Sequence, residues 1–304
     1  MQPRVSIVVR TKDRPYFLAR ALTDIAAQSF DEAEVIVVND GGDRASVDEV
    51  IGAAAISDRV RVVDSPSRTG RCVAANVGLR AAVAPFVVLH DDDDLWHPEF
   101  LTRTVANLDA STDDAGVMVA TEIIYEERRG NGWHETSRAP FWGGMDGVTF
   151  TSLLEVNRAV PISFLYRRAV HDEVGYYDES LDAVEDWEFY LRLTAVHPVA
   201  FLGGTPLAYW TQRPQARGID ANSMFELSSE HERDDLVVRD RALRAWAQKN
   251  GAGLPLYLAM LDRQAEERLD RGLARVKQEI LAEVYDRHPF WRRVRRLRRS
   301  SSSS

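Results

Sequence analysis

FVVLHDDDDLWHP, residues 86–98, joins a short apolar run to four consecutive aspartates. Like charges at such close range repel, and a carboxylate beside a low-dielectric interior costs free energy unless a cation compensates it. Helix capping ahead of Trp96-His97-Pro98 accounts for one acid, at most two. The excess points to a hard divalent ion, Mg²⁺ or Mn²⁺, which takes carboxylate oxygens and shares its open positions with substrate phosphates. The apolar run reads as a strand, so the acids fall at a strand's carboxyl end.

The surrounding chain supplies the rest of such a sheet. VSIVV (5–9), EVIVV (34–38), VRVV (60–63) and FVVL (86–89) are short and rich in β-branched residues. Nearly continuous apolar runs of this kind suit strands buried on both faces. Leu18, Leu22 and Ile25 recur at helical spacing after Pro15, which suits a first helical turn, and an Ala-rich stretch over 73–84 predicts a second helix. Alternating strands and helices give a doubly wound α/β half. Beyond residue 110 the texture changes. A hairpin turning at Gly130-Asn131-Gly132, a Gly/Trp-rich loop (RAPFWGGMDG, 138–147) and a further strand (PISFLYRR) precede a mainly helical region from about Met224.

Composition narrows the class. With 304 residues, 45% hydrophobic and 28% charged, the chain has ample material for a core. MQPRVSIVVR runs straight into a strand, leaving no room for a signal peptide, and no apolar run reaches membrane-spanning length. Cys72 is the single cysteine, which fits a reducing cytoplasm and a packing role. Net charge is −9, yet Arg292, Arg293, Arg295, Arg296, Arg298 and Arg299 crowd the C-terminus, so the body is more acidic still. That argues against a nucleic-acid surface. No glycine-rich phosphate loop follows the first strand, where RTKDRP stands instead, so P-loop and dinucleotide folds are disfavoured. None of the seven histidines has zinc-site spacing.

Taken together and in order, SIVVRTKDRP, EVIVVNDGG, FVVLHDDDDLWHPEFL and VEDWEFYLRL resemble an inverting glycosyltransferase of family 2, of the bacterial cell-surface polysaccharide type, over roughly residues 4 to 215. The resemblance implies a GT-A fold: a Rossmann-like nucleotide-binding half, a mixed-sheet acceptor half and, here, a C-terminal helical region. It implies that Asp40 binds the nucleoside, Asp93 the ribose, and that Asp92 and Asp94 hold Mn²⁺ or Mg²⁺, with Asp91 unassigned. Thr11, Arg14 and Arg71 match nucleotide and diphosphate contacts, and Gly70, Asn76 and Gly78 match the pattern as well. Glu185-Asp186-Trp187 resembles the motif whose aspartate is the catalytic base; inverting transfer needs one such carboxylate to deprotonate the acceptor hydroxyl. YWTQRP (209–214) only loosely echoes the Q-x-x-R-W of processive relatives and lacks a histidine found in many others.

The expected organisation is a GT-A domain over 1–220, a helical region over 221–288 and a basic tail over 289–304. Phe290, Trp291, Val294 and Leu297 interleave with the tail's arginines, a pattern suited to an anionic membrane surface. The expected partners are a nucleotide-sugar donor and a saccharide or lipid-linked saccharide acceptor. The expected location is cytoplasmic, peripheral on the inner face of the plasma membrane. Specificity is expected in loops such as 138–147. Two rivals stand beside this reading: a sugar-1-phosphate nucleotidyltransferase, whose glycine-rich loop is missing here, and a non-catalytic sugar- or lipid-surface binding module.

Overall fold

The computed structural model describes residues 2–66, 70–222 and 228–287. The basic tail expected to dock on a membrane therefore lies outside the described residues. The chain divides into two compact units, 1–238 and 239–304.

The first unit opens with β1 (Val5–Thr11), α1 (Pro15–Ala26), β2 (Ala33–Asn39), α2 (Arg44–Ala53), β3 (Val60–Asp64), α3 (Arg71–Ala81) and β4 (Phe86–Asp91). All seven residues of β1 are buried, which is why that strand carries a continuous apolar run rather than an alternating one. Val5, Ile7, Val9, Val35, Val37 and Val88 pack to one side with Leu18, Leu22 and Ile25 of α1. Val8, Ile36, Val38, Val87 and Leu89 face the other side with Ala74, Ala75 and Leu79 of α3. α3 lies so close to the sheet that a Cβ on Gly78 would stand 2.2 Å from Val8 Cγ1. Only glycine permits that approach.

Then come β5 (Leu95–Trp96), α4 (Phe100–Ala110), β6 (Gly116–Val119), β7 (Thr121–Arg129), β8 (Gly132–Phe141), α5 (Phe150–Glu155), β9 (Phe164–Arg167), α6 (Val170–Val174), α7 (Glu185–Thr194), β10 (Ala200–Leu202) and β11 (Ala208–Gln212). The main sheet runs β10-β6-β9-β4-β1-β2-β3. β1 to β4 pair in parallel, whereas β9 is antiparallel to both β4 and β6. A smaller sheet, β5-β11-β7-β8, contains the expected hairpin, with Gly130 at φ 61° in its turn. A Rossmann-like half joined to a mixed-sheet half is the expected architecture.

α8 (Ser228–Asn250) crosses the division between the units, and α9 (Gly253–Arg287) belongs to the second, so the C-terminal region is helical as expected. The division at residue 238 takes the first turns of α8 into the first unit, beyond the expected boundary at 220. Among the described residues no helix is long and apolar enough to cross a membrane.

Candidate active site

In open α/β sheets the binding crevice lies beyond the carboxyl ends of strands where their order reverses. Here that point is β1, flanked by β2 and β4. Thr11 ends β1, Asp40 follows β2, and Asp91 ends β4. A cleft of about 370 Å³ opens there, lined by Thr11, Arg14, Asp40, Arg71, Asp92, Asp93 and Asp94. The structure thus brings together seven of the eight residues to which the resemblance gave a nucleotide, metal or base role. The eighth, Asp186, lines a neighbouring cleft of about 680 Å³ that shares Arg10, Arg71, Asp91 and Trp210 with the first.

The four aspartates are not alike. Asp91 accepts from Arg10 Nε at 2.8 Å and Nη2 at 2.5 Å. Asp93 accepts from Arg14 Nη2 at 2.8 Å, from Asn222 Nδ2 at 3.2 Å and from the wholly buried Arg213. Burial opposes its charge, but Arg14 and Arg213 outweigh it and hold Asp93 well below the usual carboxylate range. Asp92 takes one bond from Thr11 Oγ1 at 2.8 Å and shares Arg14 at 3.0 Å. Burial, only partly offset by Arg14, pushes it up to about 7. Asp94 accepts from the Thr211 backbone N–H at 2.8 Å and, among the described residues, faces no guanidinium at hydrogen-bond distance. Burial, then Asp93 and Asp91, raise it well above its ordinary value.

This revises the electrostatic argument made from the sequence. Arginines compensate Asp91 and Asp93, and Arg14 partly offsets Asp92. Asp92 and Asp94 remain as buried carboxylates short of positive charge. That donor set fits a hard divalent ion completing its shell with phosphates and water. Among the described residues no three acidic, histidine or cysteine side chains converge as a ready-made cage.

Asp40 accepts from the Gly70 N–H at 3.0 and 3.1 Å, and Gly70, at φ 141°, holds a conformation that favours glycine. Arg71 reaches Glu185 at 3.3 Å and Arg10 reaches it at 3.4 Å. Burial works against the Glu185 charge, but the two arginines prevail and lower its pKa. Asn76 is structural: its amide bonds the backbone of Tyr177 in both directions, tying α3 to the segment that leads into α7.

Asp186 is half-buried at the start of α7. Its Oδ2 accepts from Asn157 Nδ2 at 3.0 Å and its Oδ1 from the Trp187 N–H at 2.8 Å. Burial first, then the Glu185 carboxylate, push it up to about 7. A carboxylate titrating near neutrality is matched to proton abstraction. Val184, just before this pair, sits at φ 54°. The described non-glycine residues with positive φ are Asp13, Trp142 and Val184, and each lines one of the two clefts. Backbone strain of this kind gathers at functional sites.

Several residues here escaped sequence reasoning. Arg10 is the clearest, because a charge inside an otherwise apolar, doubly buried strand is itself a signal. Arg20 and Arg213 meet Glu126 at 2.6 and 3.3 Å, and Arg14 and Arg213 both stack on Phe17. Gln212 lines the first cleft with both side-chain polar atoms buried and unpartnered among the described residues. Such atoms call for a ligand or water.

Comparison with known proteins agrees with this geometry. The family described as Glycosyl transferase family 2 matches residues 6–175, which take in the aspartate run and stop short of Glu185-Asp186. The uncharacterized glycosyltransferase YwdF of Bacillus subtilis is 29% identical over 194 residues, 62% of this chain and 67% of YwdF. Glycosyltransferase GlyG of Streptococcus pneumoniae is 26% identical over 132 residues, 43% of each chain. Several relatives are covered over less than half their own length. Among solved structures, S. aureus TarS 1–349 in complex with UDP-GlcNAc aligns with a TM-score of 0.53 at 20% identity, covering 84% of this chain and 76% of that one. The mannosyltransferase PcManGT of Pyrobaculum calidifontis, in complex with GDP-Man and Mn²⁺, aligns with a TM-score of 0.51 at 17% identity, over 72% and 59% of the two chains. These structural likenesses establish the fold, and the match over more than half of the sequence establishes the family: the chain belongs to glycosyl transferase family 2.

Proposed function

We propose that the protein transfers a sugar, with inversion, from a nucleoside-diphosphate sugar to a hydroxyl of a saccharide acceptor. The observation that carries this reading is the pair of adjoining clefts. One is lined by the strand-end aspartates and arginines, the other by a half-buried carboxylate that titrates near neutrality. On this reading Asp40 bonds the nucleoside and Asp93, fixed by Arg14 and Arg213, bonds the ribose. Thr11, Arg14 and Arg71 face the nucleotide and its diphosphate. Asp92 and Asp94 would hold Mn²⁺ or Mg²⁺, whose chemistry there is to stabilise the charge growing on the departing diphosphate.

Asp186 takes the proton of the acceptor hydroxyl as its oxygen bonds to the anomeric carbon. The bond from that carbon to the diphosphate breaks on the opposite face, and the nucleoside diphosphate leaves. Asn157 keeps one carboxylate oxygen oriented throughout. Support also comes from the nucleotide sugars in the TarS and PcManGT structures. The nucleotidyltransferase rival finds none, because the loop after β1 has no glycine.

The test is thermal unfolding with UDP, dTDP and GDP, each with and without Mn²⁺. A ligand that binds only the folded form raises apparent stability by mass action. One nucleotide is expected to raise Tm in a Mn²⁺-dependent manner. No shift with any of them overturns the donor site.

A further inference from the structure

The second cleft differs in chemistry from the first. Trp142, Phe141 and Trp210 form a connected aromatic wall, with ring centroids 5.9 and 5.3 Å apart and edge-to-face geometry. Val156, Val160 and Pro161 extend the apolar lining. Trp142 comes from the Gly/Trp-rich loop and is held with care. Its backbone sits at φ 54°, its indole Nε1 donates to the Asn157 carbonyl at 3.1 Å, and Arg158 stacks over its ring at 4.3 Å. The residue nonetheless stays 38% exposed. A bulky residue kept strained, anchored and exposed at a cleft is poorly explained by packing.

Two further features define the ligand. His231 lines the cleft with Nε2 buried and unpartnered among the described residues, a hydrogen-bonding atom suited to a hydroxyl. The lining also carries five carboxylates, Asp91, Glu185, Asp186, Glu232 and Asp235, against the guanidiniums of Arg10 and Arg71, with that of Arg158 over Trp142 as the third cation beside it. An anionic ligand meets net repulsion there. The cleft volume of about 680 Å³ lies in the range of small-molecule sites and exceeds the about 370 Å³ of the first cleft.

We propose that this cleft binds an uncharged pyranoside as the acceptor, one apolar ring face stacked on Trp142, and that Trp142 selects it. The inference rests on the transferase reading for the word acceptor, but the binding it predicts does not. Asn157 joins selection to chemistry: its carbonyl anchors the Trp142 indole while its side chain orients Asp186. An acceptor pressing on Trp142 therefore bears on the residue that positions the base. The carboxylate excess disfavours an acceptor that presents a phosphate or uronate group at this cleft.

The experiment is saturation-transfer NMR on the full chain without donor. The probes are the methyl pyranosides of glucose, galactose, mannose and N-acetylglucosamine, with glucuronate and glucose 6-phosphate as anionic counterparts. Probes at about 10 mM detect the millimolar affinities expected of single rings. At least one neutral glycoside is expected to receive saturation, mainly on the C–H protons of one ring face. Trp142→Ala is expected to weaken its binding at least fivefold and Trp142→Phe to retain most of it, while the anionic sugars bind at least fivefold less. The nucleotide-induced Tm shift, measured on the same samples, checks that each variant is folded and reports on the donor site separately. Equal binding of anionic and neutral sugars, no effect of Trp142→Ala, or no binding by any neutral probe each overturns the proposal. Glycoside binding with no nucleotide shift would retain the saccharide cleft and refute the transferase reading instead.

Discussion

Asp186→Asn is expected to stop sugar transfer and yet to make the fold more stable at neutral and alkaline pH. Burial and the Glu185 carboxylate raise the Asp186 pKa from 3.8 to about 7. Between those values the unfolded chain has released its proton while the folded chain keeps it. Folding stability is therefore full below about pH 4, falls as pH rises toward 7, and is level above that. At 1.36 kcal/mol per pKa unit the loss amounts to about 4 kcal/mol. Asparagine removes the charge and keeps an acceptor for Asn157 Nδ2, but a new amide N–H left unsatisfied gives back about 1–3 kcal/mol. The net gain above pH 7 is about 1–3 kcal/mol, or about 2–10 °C in Tm for a unit of this size. Thermal unfolding of both proteins from pH 4 to 8.5 reads it directly. The variant should be no more stable than the parent near pH 4, pull ahead as pH rises, and keep a constant lead above 7. Release of nucleoside diphosphate, assayed in parallel, should fall about 10²–10⁴-fold, while the nucleotide-induced Tm shift persists. In the parent the rate should climb through an acid limb near pH 7. A variant that turns over normally, or a Tm gap that ignores pH, refutes the assignment.

Other expectations follow from the same contacts. Arg213→Met leaves Asp93 with Arg14 alone and Glu126 with Arg20 alone, so it should lower the denaturation midpoint but cost less than the about 3–5 kcal/mol of a fully uncompensated buried charge. Asp94→Asn removes the carboxylate with least compensation, so it should abolish the Mn²⁺-dependent part of the nucleotide shift and leave metal-free Tm equal or higher. Gly78→Ala drives a methyl into Val8 and Val38 and should destabilise by about 1–3 kcal/mol, measured by chemical denaturation, with nucleotide affinity unchanged in the folded fraction. Asn157→Ala should lower kcat more than it raises KM and shift the acid limb upward, because it removes a bond that favours the Asp186 carboxylate.

Much of this was legible in the sequence because it is written locally. Continuous β-branched runs announced doubly buried strands, and acids at their ends marked the crevice, since strand periodicity and strand-end chemistry are properties of neighbouring residues. What escaped was written at long range. Arg213 lies 120 residues from Asp93, and Asn157 lies 29 residues from Asp186. Nothing in YWTQRP or EVNRA says where those side chains go until two sheets have packed. The 138–147 loop was recognised as a place for specificity. That Trp142 in particular is strained, anchored and exposed became visible only with the backbone angles and the Asn157 contact.

The four aspartates now have a fuller account than repulsion relieved by one ion. The four meet different partners: Asp91 and Asp93 are held by arginines, Asp92 only shares Arg14 with Asp93, and Asp94 takes a backbone N–H, so Asp92 and Asp94 stay short of positive charge. A metal site made of carboxylates alone would be held apart by its own repulsion before the ion arrives. Arg10, Arg14 and Arg213 anchor the loop instead, which on the proposed reading holds Asp92 and Asp94 in place before an ion arrives. Those arginines also add local positive potential, which lowers the affinity that Asp92 and Asp94 show for a cation by themselves. A bound diphosphate reverses this, because its charge faces the same arginines and offers the ion further oxygens. Metal and nucleotide should therefore bind cooperatively, each weakly alone. Isothermal titration of Mn²⁺ should give at least tenfold tighter binding with the nucleotide present than without it, and by linkage the nucleotide should tighten by the same factor in Mn²⁺. Equal Mn²⁺ affinity in both titrations would mean that the arginines hold the loop but leave the donor diphosphate untouched.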